Sequence, residues 1–354
     1  MKKVYFNGLG SISAQHSFND SFLEEAVFHT ANIIPAIDPV YKDYIPPAAA
    51  RRMAKGIKMG VVASKIAMQQ AQLENVDAII TGTGMGCLRD SEKFLSAILD
   101  NDEQYLTPTS FIQSTHNTVA GQIALSLGCK GYNFTYVHAS TSLEAALLDA
   151  QMMLQANEAH NILVGGVDEI ADHNVHLHQL NGHIKQEEIS ANEVLSSSTP
   201  GAVFSEGAHF FCLSDNKKDS SYASLEGIQL YNTLTTTEVE DACLSFLQEH
   251  QLAPEDIDVL VLGTNGDIDF DGYYTSLQNS LFTKTSVAHY KHLSGEYGTA
   301  TGFGLWIALK AIKEQHLPAA ITTKASESPK AIKTVLLYHQ YRGENHSFTL
   351  LQGC

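Results

Sequence analysis

Two stretches of the chain, Asp77-Ala-Ile-Ile-Thr-Gly82-Thr83-Gly84 and Asp258-Val-Leu-Val-Leu-Gly263-Thr264-Asn265, repeat one pattern of an acid, a short apolar run and a glycine turn. Apolar runs of this length suit strands buried on both faces, which need helices to cover them. The same signature ends Val4-Tyr5-Phe6 at Gly8-Leu9-Gly10, and Ile162-Leu163-Val164 at Gly165-Gly166. Between these runs, 53–73 and 141–156 have helical apolar spacing, good helix formers and no proline. A further helix is expected over 305–315, opened by the segment from Gly298 to Gly304, with a strand over 319–323. Alternating strands and helices predict an α/β fold.

The repeat implies a duplicated architecture, and 354 residues suffice for two βα halves. The polar stretch Asn216-Lys-Lys-Asp-Ser-Ser221 is the expected seam, dividing the chain into 1–215 and 222–354. A net charge of −17 argues against extended contact with nucleic acid, whose affinity comes from Lys and Arg neutralising phosphates. It weighs equally against an anionic membrane surface. Five scattered cysteines without a C-x-x-C pair make neither a disulfide framework nor a zinc site, and no cofactor is expected. The apolar run after Met1 breaks at Asn7, Gly8 and Gly10, and the uncharged stretch 104–129 is too polar to span a bilayer. A cytoplasmic setting is therefore expected.

Six segments carry chemistry-bearing patterns. They are Gly8-Leu9-Gly10, Phe134-Thr-Tyr-Val-His138-Ala139-Ser140, Gly165-Gly166-Val167-Asp168, Phe204-Ser205-Glu206-Gly207-Ala208, Leu262-Gly263-Thr264-Asn265-Gly266, and Lys291 with Ser294-Gly295-Glu296. In this order and spacing they resemble the β-ketoacyl synthases. The resemblance implies a thiolase-like, five-layer αβαβα fold. It puts Ser140 at the position of the nucleophilic cysteine, Leu262 and Glu296 at the two histidine positions, and Lys291 at the retained lysine. Of two pantetheine-contacting threonines, the resemblance keeps Thr264 and replaces the other with Gly266. Tyr341-Arg342-Gly343-Glu344-Asn345 loosely resembles the C-terminal glycine-rich loop, which implies substrate-contacting roles for Tyr341 and Asn345.

The departures bear on activity. Condensation needs a thiolate at a helix N-terminus and two imidazoles to drive decarboxylation and stabilise the carbanion. A serine hydroxyl is hardly ionised at neutral pH, Leu262 cannot move a proton, and a carboxylate at 296 repels an enolate. Losing these groups should abolish condensation. Lys291 is placed to pair with Glu296.

Thr141-x-x-Glu144 reads as a capping box, so Ser140 also has a structural reading as the small residue before the cap. His138, two positions back along a strand, would share a face with Ser140 if the strand continued. His116 is a second candidate base. The group His173, His176, His178 and His183 fits no zinc helix spacing and reads as a polar loop. Gly82-Thr83-Gly84-Met85-Gly86 lacks the spacing of a nucleotide-binding loop, and its glycines read as structural.

From Tyr44 to Leu73 there are five basic residues, Arg51, Arg52, Lys55, Lys58 and Lys65, and no acid. On one helix, Arg51, Lys55 and Lys58 would share a face with Arg52 alongside. The resemblance implies that such a face docks an acidic acyl carrier protein.

Three functional expectations follow. The resemblance favours a non-condensing, chain-length-factor-type subunit of bacterial type II polyketide systems, including those making aryl polyenes, paired with an active ketosynthase. The second is an acyltransferase or thioesterase using Ser140 with a histidine outside the family pattern. The third is a homodimer that binds acyl chains or carrier protein without chemistry.

Overall fold

The computed structural model describes residues 2–19, 21–325 and 331–354. The strands of the main sheet begin with β1 (Val4–Ile12), β2 (Ala78–Gly82), β3 (Tyr132–Tyr136), β4 (Asn161–Asp168), β5 (Gly207–Ser214) and β6 (Ala223–Asn232). They continue with β7 (Val259–Leu262), β8 (Ser286–His289), β9 (Thr322–Lys324), β10 (Thr334–Tyr341) and β11 (Asn345–Gly353). They form an 11-stranded mixed sheet in the order β9-β8-β7-β10-β11-β6-β1-β5-β4-β2-β3. The two halves meet at β1 and β6, which pair only at Val4↔Leu225 and Tyr5↔Ser224.

Helices arrange the sheet into five layers. α1 (Lys55–Ala71) and α3 (Thr118–Leu127), with α2 (Leu88–Asp100) between them in the chain, precede the central helices; α1 and α3 cover one outer face, where Val61, Ala63 and Ile123 pack against Ile12, Leu163 and Phe210. α4 (Ser142–Gln155) and α8 (Thr301–Glu314) lie between the halves. Their Leu147, Ala150, Leu305 and Leu309 join strand residues from both sides, Ile80 and Val164 with Val261 and Val335. α6 (Thr236–Glu249) and α7 (Gly272–Leu281) cover the far face, with Phe246, Leu277 and Leu336 in one cluster. Residues packed from both faces explain why the strands read as continuous apolar runs.

The sequence repeat has a structural counterpart. Asp77 Oδ2 accepts from the backbone N–H groups of His160 and Asn161 at 2.8 and 2.9 Å, at the start of β4. Asp258 Oδ2 accepts from those of Lys333 and Thr334, both at 2.9 Å, at the start of β10. In each half the acid before a central parallel strand ties down the entry of its neighbour.

Several local expectations are corrected. α8 begins at Thr301, four residues before Leu305, and the strand expected over 319–323 is the shorter β9 (Thr322–Lys324). The histidine group is not a loop, because His173, His176 and His178 lie on α5 (Asp172–Leu180), and His183 follows it. The capping box at Thr141 is not formed. Thr141 Oγ1 donates to the His138 carbonyl at 3.0 Å, and Glu144 is buried beneath the helix instead of reaching back to the cap. Ser142 anchors this turn, its Oγ accepting from His138 N at 2.8 Å.

The basic segment is not one helical face either. A short helical turn, Pro47–Ala50, ends before Arg51, and α1 starts only at Lys55. Arg51 and Arg52 are exposed on the intervening turn. Lys55 is held by the buried Glu206 at 2.5 Å, and Lys58 leans over the Tyr41 ring at 5.9 Å. The Pro46-Pro47 pair sets where the turn begins, and Gln113 holds the break after it, its Oε1 accepting from Ala54 N at 2.6 Å and its Nε2 donating to the Arg52 carbonyl.

Candidate functional site

The C-terminal ends of β2 and β4 and the turn after β3 converge on one cavity. β3 stops at Tyr136, and Ala139 takes a left-handed φ of +50°, which presents Ser140 just ahead of α4. A cavity of about 230 Å³ opens here, lined among others by Met85, Ser140, Asp168, His178, Glu296 and Tyr341. Ser140 is 3% exposed, and its hydroxyl has no hydrogen-bond partner.

Beside Ser140 lies a buried charged cluster. Lys291 Nζ donates to Glu296 Oε1 at 2.8 Å and Oε2 at 2.6 Å, and lies 3.2 Å from His339 Nδ1. Asn265 Nδ2 adds a 2.7 Å bond to Glu296 Oε2. All four residues are buried. Burial, followed by the Lys291 charge, drives the His339 pKa well below the usual imidazole range. Glu144 lies on the inner side of the cluster, where Ser347 Oγ donates to Oε1 at 3.3 Å. Burial pushes its pKa up to about 7, against the opposing pull of its hydrogen bonds and of Lys291.

Asp168 organises the opposite wall. It accepts from Thr83 Oγ1 at 3.0 Å, Gly84 N at 2.8 Å, Met85 N at 3.3 Å and Thr299 Oγ1 at 2.9 Å. Burial raises its pKa and these four donors lower it, with burial the larger effect. The glycine turn after β2 thus wraps a carboxylate belonging to the protein itself. At the cavity mouth, His178 Nδ1 sits 2.9 Å from His183 Nδ1, and its ring lies 4.8 Å from Phe204.

The structure brings together Ser140, Glu296, Lys291 and Tyr341. Leu262 is buried in the outer core among Leu260 and Tyr338, as an apolar packing residue. Thr264 is buried with its hydroxyl unpartnered. Asn345 is paired opposite Tyr341 at the start of β11 and does not line the cavity. The segment around it is a tight hairpin turn with Arg342 and Gly343 at φ +51° and +68°, in place of a glycine-rich loop. His138 does not join Ser140, because the turn leaves it exposed with its ring 5.6 Å from that of Tyr136. His116 is exposed near Gly86.

Sequence reasoning missed His339, Asn265, Glu144 and the role of Asp168. A strand period of two connects His339 to Tyr341, and that was the available signal. No group of three or more metal-ligating side chains occurs among the described residues, and no described helix is long and apolar enough to cross a membrane.

Comparison with known proteins agrees with this geometry. Residues 32–218 match the family model for the β-ketoacyl synthase N-terminal domain. The chain is 23% identical over 194 residues to 3-oxoacyl-[acyl-carrier-protein] synthase 2 of Staphylococcus aureus strain N315, covering 53% of this chain and 45% of that protein. It is 30% identical over 125 residues to the synthase of that name from Synechocystis, covering 34% and 30%. The matched region thus spans less than half the length of these curated relatives. Among solved structures, the ishigamide ketosynthase/chain length factor superposes with a TM-score of 0.84 at 16% identity, covering 100% of this chain and 99% of that one. A β-ketoacyl synthase from Burkholderia phymatum gives 0.81 at 15%, with full coverage of both chains. A type II polyketide acyl-carrier protein in complex with its ketosynthase gives 0.79 at 14%, again with full coverage. The fold is that of the thiolase-like ketosynthases, and the chain belongs to the β-ketoacyl synthase family.

Proposed function

We propose that this protein is a non-condensing, chain-length-factor-type subunit that pairs with an active ketosynthase in fatty-acid- or polyketide-type chain elongation. The carrying observation is the buried Lys291–Glu296 ion pair beside Ser140, at the place where condensation requires a thiolate and imidazoles. A carboxylate there opposes the enolate that decarboxylation forms, and removal of even one oxyanion donor typically costs about 10²–10³ in rate. The turn presents Ser140 just ahead of α4, and serine, leucine and glutamate stand where the resemblance puts the reacting groups, which suits a subunit that shapes a cavity.

The outer edge of the sheet supports a partner. β3 is its last strand, and Tyr132, Phe134 and Val137 at this edge are 42%, 44% and 42% exposed. Unpaired strand edges carrying apolar side chains invite pairing with another chain. The exposed Arg51 and Arg52 offer positive charge to an acidic carrier protein.

The test is co-expression with an active Cys-His-His ketosynthase of a type II system, followed by co-purification and product analysis. A stable heterodimer whose product length changes when cavity residues are altered is the expected result. A monomer or homodimer with no affinity for the ketosynthase overturns it. The Ser140 acyltransferase reading gains nothing from His138 or His116, since neither lines the cavity. An acyl adduct on incubation with acyl-loaded carrier protein, absent in Ser140→Ala, would reinstate that reading.

A further inference from the structure

Ser140 reaches the cavity yet is almost wholly buried, so a ligand larger than water meets it only when a wall moves. One wall is weakly held. α5 contributes Asn174, Val175 and His178 to the lining, but it is nine residues long and none of its side chains is fully buried. Leu177 and Leu180 on it are exposed. A helix this short takes its stability from a packed apolar face, which α5 lacks.

Fixed posts stand at both ends of this helix. Before it, Ile170 N donates to the buried Glu206 Oε2 at 3.0 Å, and the Ile170 carbonyl accepts from Arg89 Nε at 2.6 Å. After it, the His183 carbonyl accepts from Ala202 N at 2.9 Å, and Lys185 N donates to the Ala202 carbonyl at 3.1 Å. The Lys185 ammonium is spent on Ser197 Oγ, Thr199 Oγ1 and the Gly266 carbonyl. The span between the posts is tied down mainly at two places. Glu92 on α2 accepts from His173 N and Asn174 N at 3.1 and 2.7 Å, capping the first turn. At the far end His178 Nδ1 meets His183 Nδ1 at 2.9 Å. Burial lowers both imidazole pKa values, so at neutral pH one Nδ1–H donates and the other Nδ1 accepts. A third contact, Gln186 Nε2 to the Gln179 carbonyl, is long at 3.5 Å and exposed. The joints are free to turn, because Ala171 is extended ahead of the first turn and Gly182, at φ +69°, has open space where a Cβ would stand.

We propose that α5 is a lid, hinged at Ala171 and Gly182, that closes the cavity over Ser140 and is held shut by the Glu92 cap and the His178–His183 bond. When a tie breaks, little apolar packing keeps the helix down, and the mouth widens while the posts and the sheet stay in place. The lid acts on access to the cavity whatever ligand enters, so it goes beyond the subunit-pairing reading and does not depend on it.

Two measurements on the full chain test this. In native-state hydrogen exchange of the wild type, the amides of α5 should exchange at least about 100-fold faster than those of α4, a readout that needs no variant. Access is read from Ser140→Cys treated with iodoacetamide, with labelling followed peptide by peptide by mass spectrometry. Cys212 and Cys243, fully buried in separate clusters, report global unfolding in the same sample. Adding Glu92→Ala or His183→Ala should raise the labelling rate at position 140 by about five- to tenfold, as loss of one hydrogen-bonded tie implies, with Cys212 and Cys243 still unlabelled. Protection of α5 equal to that of α4, labelling at 140 unchanged by either substitution, or labelling that rises only in step with Cys212 and Cys243 overturns the proposal.

Discussion

Lys291 Nζ lies 2.8 and 2.6 Å from the two carboxylate oxygens of Glu296, five residues further along the chain, with both side chains almost wholly removed from solvent. The short helical turn Lys291–Ser294 and Gly295, at φ +73°, bring the two together. A buried pair of this kind stabilises little relative to apolar residues of the same size, because desolvation offsets most of the attraction. Breaking it is another matter, since the surviving charge has no water to turn to.

Lys291→Met or Glu296→Leu alone should therefore destabilise the protein by about 3–5 kcal/mol, while the double substitution Lys291→Met with Glu296→Leu should cost much less than the sum. Urea denaturation of the four species gives the coupling energy. Additive single effects would show that the two side chains act independently.

The basic residues before and within α1 should separate into two classes. Arg51 and Arg52 are exposed, so Arg51→Glu with Arg52→Glu should leave stability within about 0.5 kcal/mol and weaken carrier-protein binding in a salt-dependent way. Lys55 neutralises Glu206, which is fully buried and also accepts from Ala36 N and Ile170 N at 3.2 and 3.0 Å. Lys55→Ala should cost about 1–3 kcal/mol of stability. Melting curves beside carrier titrations distinguish the two, and a carrier-binding loss confined to Lys55→Ala would place docking elsewhere.

Much of this was legible in the residues. The apolar runs mark β1, β2, β4 and β7, although Gly8 and Gly10 lie inside β1 and Gly165 and Gly166 inside β4, where turns were expected, and the order of motifs gave the family. Boundaries were harder where a side chain answers to tertiary contacts. Thr141 and Glu144 have capping-box spacing, but Glu144 is drawn into the interior by Ser347 from β11, a contact 203 positions away. Arg51 and Lys55 have helical spacing, but Pro47 starts a separate turn ahead of α1. His339 stayed hidden because its charged neighbour, Lys291, lies 48 positions away in the chain.

Gly10 tests why the first motif is glycine. A Cβ there would lie 1.9 Å from the carbonyl oxygen of Ala63 on α1, an overlap that only backbone movement could relieve. Gly10→Ala should thus cost more than the roughly 1–3 kcal/mol typical of overpacking, through separation of β1 from α1. Lowered thermal stability together with loss of hydrogen-exchange protection in α1 is the expected result. Wild-type stability in this variant would show that β1 and α1 can part at no cost.

Stability should also rise from acid pH to a plateau near neutrality, because two sets of buried groups act in opposite senses over the same acid range. Burial lowers the pKa of His209 and His289 to about 3 and of His292 to about 4. The unfolded chain takes up protons on these residues near pH 6.5 while the native protein refuses them. Stability is therefore lost as pH falls below about 6.5, at about 1.4 kcal/mol per pH unit for each histidine. Glu144 is raised to about 7 and Asp271 to about 6, in both cases mainly by burial. The native state binds these protons when the unfolded chain has released them, so their contribution is present at low pH and lost as pH rises through about 6 to 7. Three histidines outweigh two carboxyls, so between about pH 4.5 and 6 stability still falls towards acid, by a net of about 1.4 kcal/mol per pH unit. Calorimetry across pH 4.5 to 8.5 should find a melting temperature that climbs up to about pH 7 and that these groups leave nearly level above it. Glu144→Gln should raise stability at pH 8, by up to about 3 kcal/mol, with little effect at pH 5. An equal effect of Glu144→Gln at both pH values would mean that the carboxyl is ionised throughout and that burial does not hold its proton.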